Sequence, residues 1–189
     1  MWSDADLNNA LTALRQGGTI AYPTDTVWGI GCDACNEQAV AKVNEIKNRP
    51  ENKGYVVLVS DIDMLIKYID AIPGPAIDIL KYNTKPLTII YDKCFYIAEN
   101  AIYPDGSIAI RICEDSFCKA LIKKLRKPLL STSANISNEP APSIFKEISE
   151  TILSRVDYVV KYKQNDNKKA APSTIMKISA NGTFQIIRK

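Results

Sequence analysis

The chain has no histidine in its 189 residues. That excludes Ser-His-Asp and Cys-His nucleophiles, histidine-bound metal centres and the commonest general base. Long apolar runs are also missing, and none approaches the ~20 residues of a membrane-spanning helix. Asp4 and Asp6 stand where an export signal carries positive charge. Charge of one sign is scarce: 24 basic against 21 acidic residues leave +3, too little for an obligate nucleic-acid coat. No GxxxxGK[ST] phosphate loop occurs, and Gly29-x-Gly31 lacks the third glycine of a dinucleotide fingerprint. These absences predict a soluble, cytoplasmic protein without membrane contact, whose chemistry relies on Lys, Arg, Ser, Thr, Asn or carboxylates.

What is present suits one domain spanning 1–189. Hydrophobic residues make up 46% and charged residues 24%, and a chain of this size buries roughly 70% of its unfolded surface without a staple. Charge is unevenly placed, with 9 basic and 13 acidic side chains up to residue 100 and 15 and 8 after it, so −4 precedes +7. Any basic surface draws on the second half. Five cysteines, an odd number, read as free thiols. Cys32 and Cys35 have CxxC spacing, and Cys113 with Cys118 offers a Cys₄ zinc alternative, against which stands the loose second pair.

Periodicity places helices at 4–16, 36–47, 61–70, 75–82, 116–126 and 143–154. Strands fall at 19–22, 55–59, 86–91, 107–112, 129–132 and 158–162, with a closing hairpin at 174–187 around Asn181-Gly182. Residues 24–34 read as a loop, and Pro50 as a helix stop. Alternating helices and strands that end in a hairpin give an α/β (α+β) fold, a twisted mixed sheet flanked by helices.

Polar residues cluster in four segments. Pro23-Thr24-Asp25-Thr26 follows a strand, with two hydroxyls spaced i, i+2. Lys47-Asn48-Arg49-Pro50 puts two cations beyond a helix end, and proline holds Arg49 extended, like an anion clamp. Ser131, Ser133 and Asn135 continue an apolar strand on one face, where open α/β sheets commonly bind ligands. Ser173 opens a late strand, and Arg111, inside Ile108–Ile112, needs an anionic partner if buried. Such a set binds a nucleoside triphosphate and an oxyanion and aligns them for in-line attack.

With Pro23–Gly31, Lys47-x-Arg49, Ser133-x-Asn135 and Pro172-Ser173-Thr174 in this order, the chain resembles the YrdC/TsaC family in its short single-domain form. The resemblance implies a YrdC-like fold and a threonylcarbamoyl-AMP synthase that joins L-threonine, bicarbonate and ATP. The product would be passed to the threonylcarbamoyl-transferase complex for tRNA t6A modification, with Mg²⁺ arriving on ATP and no tightly bound cofactor or metal site. By matching position it implies L-threonine contacts from Thr26, Arg111, Ser131 and Ser173. Arg49, Lys53, Ser107, Ser133, Asn135 and Arg188 would surround ATP, and Lys47, Arg49, Ser133 and Asn135 would form the catalytic set. The chain departs from the family pattern at Asn83-Thr84-Lys85, Asp115-Ser116 and Ala141. Other readings are a double-stranded RNA-binding factor that uses the basic second half and a carbamoyl-adenylating paralogue. A further paralogous branch shares the fold but lacks the paired motifs, both of which this chain keeps.

Overall fold

A computed structural model describes residues 1–48, 54–179 and 183–189. Ser3 opens helix α1 (Asp4–Arg15), its hydroxyl accepting the Asp6 N–H at 3.1 Å. Asp4 and Asp6 complement the positive end of that helix. The predicted stripe Leu7, Leu11 and Leu14 is buried. Asn36 caps α2 (Glu37–Lys47), and Asn48, at φ 48°, ends it. The stop assigned to Pro50 lies outside the described residues.

Nine strands build one sheet: β1 (Ile20–Tyr22), β2 (Gly29–Asp33), β3 (Val56–Val59), β4 (Leu87–Tyr91), β5 (Ile108–Ile112), β6 (Leu129–Ser133), β7 (Tyr158–Val159), β8 (Thr174–Ile178) and β9 (Phe184–Arg188). Their order is β7-β1-β2-β6-β3-β5-β4-β8-β9. Pairs β1/β7, β3/β5 and β4/β8 are parallel and the others antiparallel, which is the mixed sheet expected.

Alternate residues supply two cores, as a period of two requires. Ile20, Tyr22, Leu58 and Leu129 pack with α1 and with α5 (Ser116–Leu125). Ala21, Ile30, Val57, Val59 and Leu130 face the opposite way, toward α2, the short α3 (Ile62–Leu65) and α4 (Gly74–Tyr82). Cys32 belongs to this second core, and Cys113 and Cys118 to the first. The sheet separates them, so the Cys₄ zinc alternative fails. Among the described residues, no three His, Cys, Asp or Glu side chains are grouped to hold a metal ion.

Four element expectations need correction. The loop read at 24–34 contains β2, an interior strand between β1 and β6. Its Gly31 suggested a turn, but a Cβ there would lie 1.9 Å from the Leu130 carbonyl oxygen and 3.1 Å from the Tyr22 ring. The helix read at 143–154 shrinks to a 3₁₀ turn (Phe145–Glu147) and α6 (Glu150–Leu153). Ile148 and Ser149 are extended between them, while Phe145 packs on Trp28 with centroids 4.9 Å apart. Helix 61–70 reduces to α3. The strand read at 158–162 stops after Val159, because the N–H groups of Lys161 and Tyr162 turn to the buried Asp6 carboxylate. The closing hairpin pairs as β8/β9, while its Asn181-Gly182 turn lies outside the described residues.

Candidate active site

The polar segments meet on the face that α1 and α5 cover elsewhere. Leu129 points into that core, so Ser131 and Ser133 extend the same row beyond it. The ladder sets Gly29 opposite Ser133, Val56 opposite Ser131 and Leu58 opposite Arg111. A Cβ on Gly29 would come within 3.2 Å of Ser131 Oγ, so the bare glycine leaves room at the floor. The result is a pocket of about 300 Å³ bordered by Thr26, Arg111, Ser131, Ser133, Ser173 and Arg188.

Each hydroxyl is locally set. Thr24 Oγ1 donates to the Val27 carbonyl oxygen at 2.8 Å and accepts the Thr26 N–H at 3.0 Å. Its proton is thus engaged, so Thr26 Oγ1, 2.9 Å away, must be the donor of that pair. Thr26 is left with acceptor capacity toward the pocket. Ser173 Oγ lies 2.8 Å from Thr88 Oγ1, and Arg188 donates from Nε and Nη2 to the Ser173 carbonyl oxygen at 3.2 and 2.9 Å.

Arg111 is buried, and its expected anionic partner is Asp25, at 3.1 Å from Nη2. Arg111 Nε has no hydrogen-bond partner. Arg188 is held below its ordinary pKa by burial and by the neighbouring Arg111. Among the described residues, Arg111 and Arg188 both border this pocket and no carboxylate does. Tyr22 is no base at neutral pH, since burial above all pushes its phenol up. The site can bind anions and align them.

Lys47 is not beyond the helix end, as its sequence position suggested. It closes α2, is buried, and its Nζ donates to the carbonyl oxygens of Ser133 and Asn135 at 2.6 Å each. Asn135 Nδ2 donates to the carbonyl oxygens of Ile136 and Glu139 at 2.9 and 2.7 Å. These two residues form a layer behind the pocket wall. Ser107 stands aside, its N–H and hydroxyl both donating to Asp105 Oδ1 at 3.0 and 2.6 Å. Ser107 holds the turn that brings Tyr103 to the pocket, through the Tyr103 N–H on its carbonyl oxygen at 2.9 Å. Arg49 and Lys53 lie outside the described residues. Sequence reasoning missed Thr88 and Tyr103 as participants and gave Asp25, between the two threonines, no role. Asp25 had a signal, since it lies between the threonines and Arg111 demanded an anion.

The fold has counterparts among known proteins. Residues 12–189 match the Sua5/YciO/YrdC family model, described as telomere recombination, and the chain belongs to that family. Among curated relatives, the threonylcarbamoyl-AMP synthase of Xanthomonas euvesicatoria is 37% identical over 163 residues, 85% of this chain and 87% of the relative. Among solved structures, E. coli YciO superposes with a TM-score of 0.85 at 23% identity, over 99% of this chain and 90% of YciO. P. abyssi Sua5, solved with L-threonine, gives 0.81 at 24% identity over 91% of this chain. This chain spans about half of that Sua5, 50% of its length.

Proposed function

We propose that this chain is a threonylcarbamoyl-AMP synthase, which joins L-threonine, bicarbonate and ATP into L-threonylcarbamoyl-adenylate for the t6A modification of tRNA. One observation carries the reading: among the described residues, Arg111 and Arg188 converge with the hydroxyls of Thr26, Ser131, Ser133 and Ser173 on one pocket that no carboxylate or cysteine borders. Family membership and the 37%-identical synthase support it.

The chemistry needs no more than this pocket offers. Bicarbonate gives up water, and the threonine amine takes the carbon as a carbamate. A carbamate oxygen attacks the α-phosphorus of ATP in line, and pyrophosphate leaves. Arg111, which borders the pocket, receives the threonine carboxylate through its guanidinium group. Thr26 accepts a hydrogen bond from the amine or the side-chain hydroxyl, with Ser131 and Ser173 alongside. Arg188 and Ser133 face the triphosphate. The resemblance adds Arg49, Lys53, Ser107, Lys47 and Asn135 to the nucleotide end. Among the described residues no carboxylate borders the pocket, and Mg²⁺ would be held by the phosphates of ATP. The ion enters as part of the Mg–ATP substrate.

The product is a mixed anhydride, open to attack by water, which favours direct delivery to a threonylcarbamoyl-transferase complex. Service to tRNA modification supports a cytoplasmic location. Among the described residues, no helix is long and apolar enough to cross a membrane. Weak RNA contact through the basic second half belongs to the same reading and would fall steeply with salt.

Pyrophosphate release tests the assignment. It is expected only with ATP, L-threonine and bicarbonate together. Salt-sensitive RNA binding without such turnover would instead favour a binding module.

A further inference from the structure

Asp25 lies in the sequence between the two threonines of the pocket loop, yet its carboxylate bonds to the end of β5. Oδ1 is 3.1 Å from Arg111 Nη2 and accepts the Cys113 thiol at 3.4 Å. Oδ2 accepts the Glu114 N–H at 3.2 Å. The Asp25 and Arg111 side chains are only 9% and 5% exposed. On either side, Thr24 and Thr26 are bonded to each other and to the loop backbone, so the carboxylate is held as firmly as it holds. A buried ion pair gains its stabilisation only when the remaining donors are also satisfied, and here Arg111 Nε is left without an acceptor. The guanidinium is thus held at Nη2, with Nε buried and unpaired, while Arg111 as a residue borders the pocket.

We propose that Asp25 is the positioning residue for amino-acid recognition. It grips Nη2 and so fixes the guanidinium plane in which the remaining donors of Arg111 meet the α-carboxylate of the amino-acid substrate. This rests on the reading of the pocket as the site of L-threonine and ATP. Asp25 also offsets part of the charge of Arg111. Of the two guanidinium groups, Arg188 then attracts the highly charged triphosphate more strongly, and Arg111 is left for the singly charged carboxylate. Asp25 touches no substrate itself.

The test compares KM values for the two substrates in pyrophosphate release, with Tm recorded for each variant. Asp25→Asn is expected to raise the KM for L-threonine at least tenfold and to leave that for ATP within twofold. A merely structural role would lower kcat through loss of folded protein, or shift both KM values alike, and either result overturns the proposal. Should Asp25→Asn not fold, Asp25→Glu keeps the counter-charge and displaces it by one methylene. The same split is expected there, and a threonine KM within twofold of wild type overturns the proposal. Wild-type protein that releases no pyrophosphate with threonine and bicarbonate removes the underlying reading, whereas the preceding outcomes remove the proposal alone.

Discussion

Lys47 and Ser133 are joined by a 2.6 Å bond from ammonium to carbonyl oxygen, across 86 residues of sequence. The same Nζ binds the Asn135 carbonyl oxygen at 2.6 Å. The last turn of α2 is therefore tied to the backbone that presents the Ser133 side chain. Both family motifs meet here, and the lysine acts on the pocket from behind its wall.

Lys47→Ala should consequently cost both activity and stability. It leaves two carbonyl acceptors without their charged donor, a loss of about 3 kcal/mol at 1.5–3 kcal/mol per charge-assisted bond. For a chain of this length that corresponds to a Tm lower by roughly 10 °C. Thermal melts alongside pyrophosphate release check this. A Lys47→Ala variant that melts with wild type would return the lysine to the exposed helix end its sequence position suggests.

The cysteines should be dispensable for turnover. Cys32→Ala with Cys35→Ala is expected to keep activity within a few-fold, at a stability cost of roughly 1 kcal/mol. Serine at 32 should cost more, because that position is fully buried and an added hydroxyl must find a partner there. Burial first and Asp33 second push the half-buried Cys35 thiol up to about 11, so it should react slowly with thiol reagents at pH 8. Cys32, Cys113 and Cys118 are buried and should react only on unfolding. One zinc per chain in the purified protein would contradict the separation of these thiols by the sheet.

Much of this was legible in the sequence where the signal is local. The Ser3 cap, the Leu7-Leu11-Leu14 stripe and the Ser131-Ser133 part of the one-sided row follow from side-chain chemistry and period, and the structure reproduces them. Asn135, read on the same face, instead lies beyond the end of β6 and bonds to the loop backbone. What escaped depends on distant neighbours. Gly29-x-Gly31 reads as a loop until the Tyr22 ring and the Leu130 carbonyl show why a central strand carries no side chain at Gly31. Lys47 reads as a cation at a helix C-terminus, and only the Ser133–Asn135 backbone reveals its burial. Arg111 announced the need for a counter-ion, but the choice of Asp25 is made by the approach of the loop after β1 to the end of β5.

Acid should loosen the turn that carries Tyr103. The Ser107 hydroxyl and then its N–H hold the Asp105 carboxylate below its ordinary pKa. A group depressed in the folded state stabilises it above the unfolded value, about 3.9 for Asp. That contribution is lost as pH falls through the lower folded value. NMR titration should show the Ser107 amide moving with a midpoint below 3.9. A midpoint at or above that value would mean that the Asp105–Ser107 bonds do not persist in solution.

The last prediction concerns which amino acid the pocket accepts. Thr26 Oγ1 has its proton engaged on Thr24, whose own proton is engaged on Val27. Its remaining lone pairs are therefore acceptors, suited to a substrate N–H or O–H. Ser173, buried beside Thr88, and Ser131 complete a hydroxyl-lined wall next to Arg111. A site that pairs a substrate hydroxyl leaves its own polar groups unsatisfied when that hydroxyl is missing, which discriminates more strongly than a lost methyl. Serine lacks only the methyl and should lose about 1–3 kcal/mol of transition-state binding. Valine, isosteric with threonine but without the hydroxyl, should be rejected more strongly still. Pyrophosphate release with threonine, serine and valine at saturating ATP and bicarbonate gives the three kcat/KM values. Valine equal to or better than serine would show that the pocket reads shape alone, and that the Thr26, Ser131 and Ser173 hydroxyls serve the fold or the nucleotide instead.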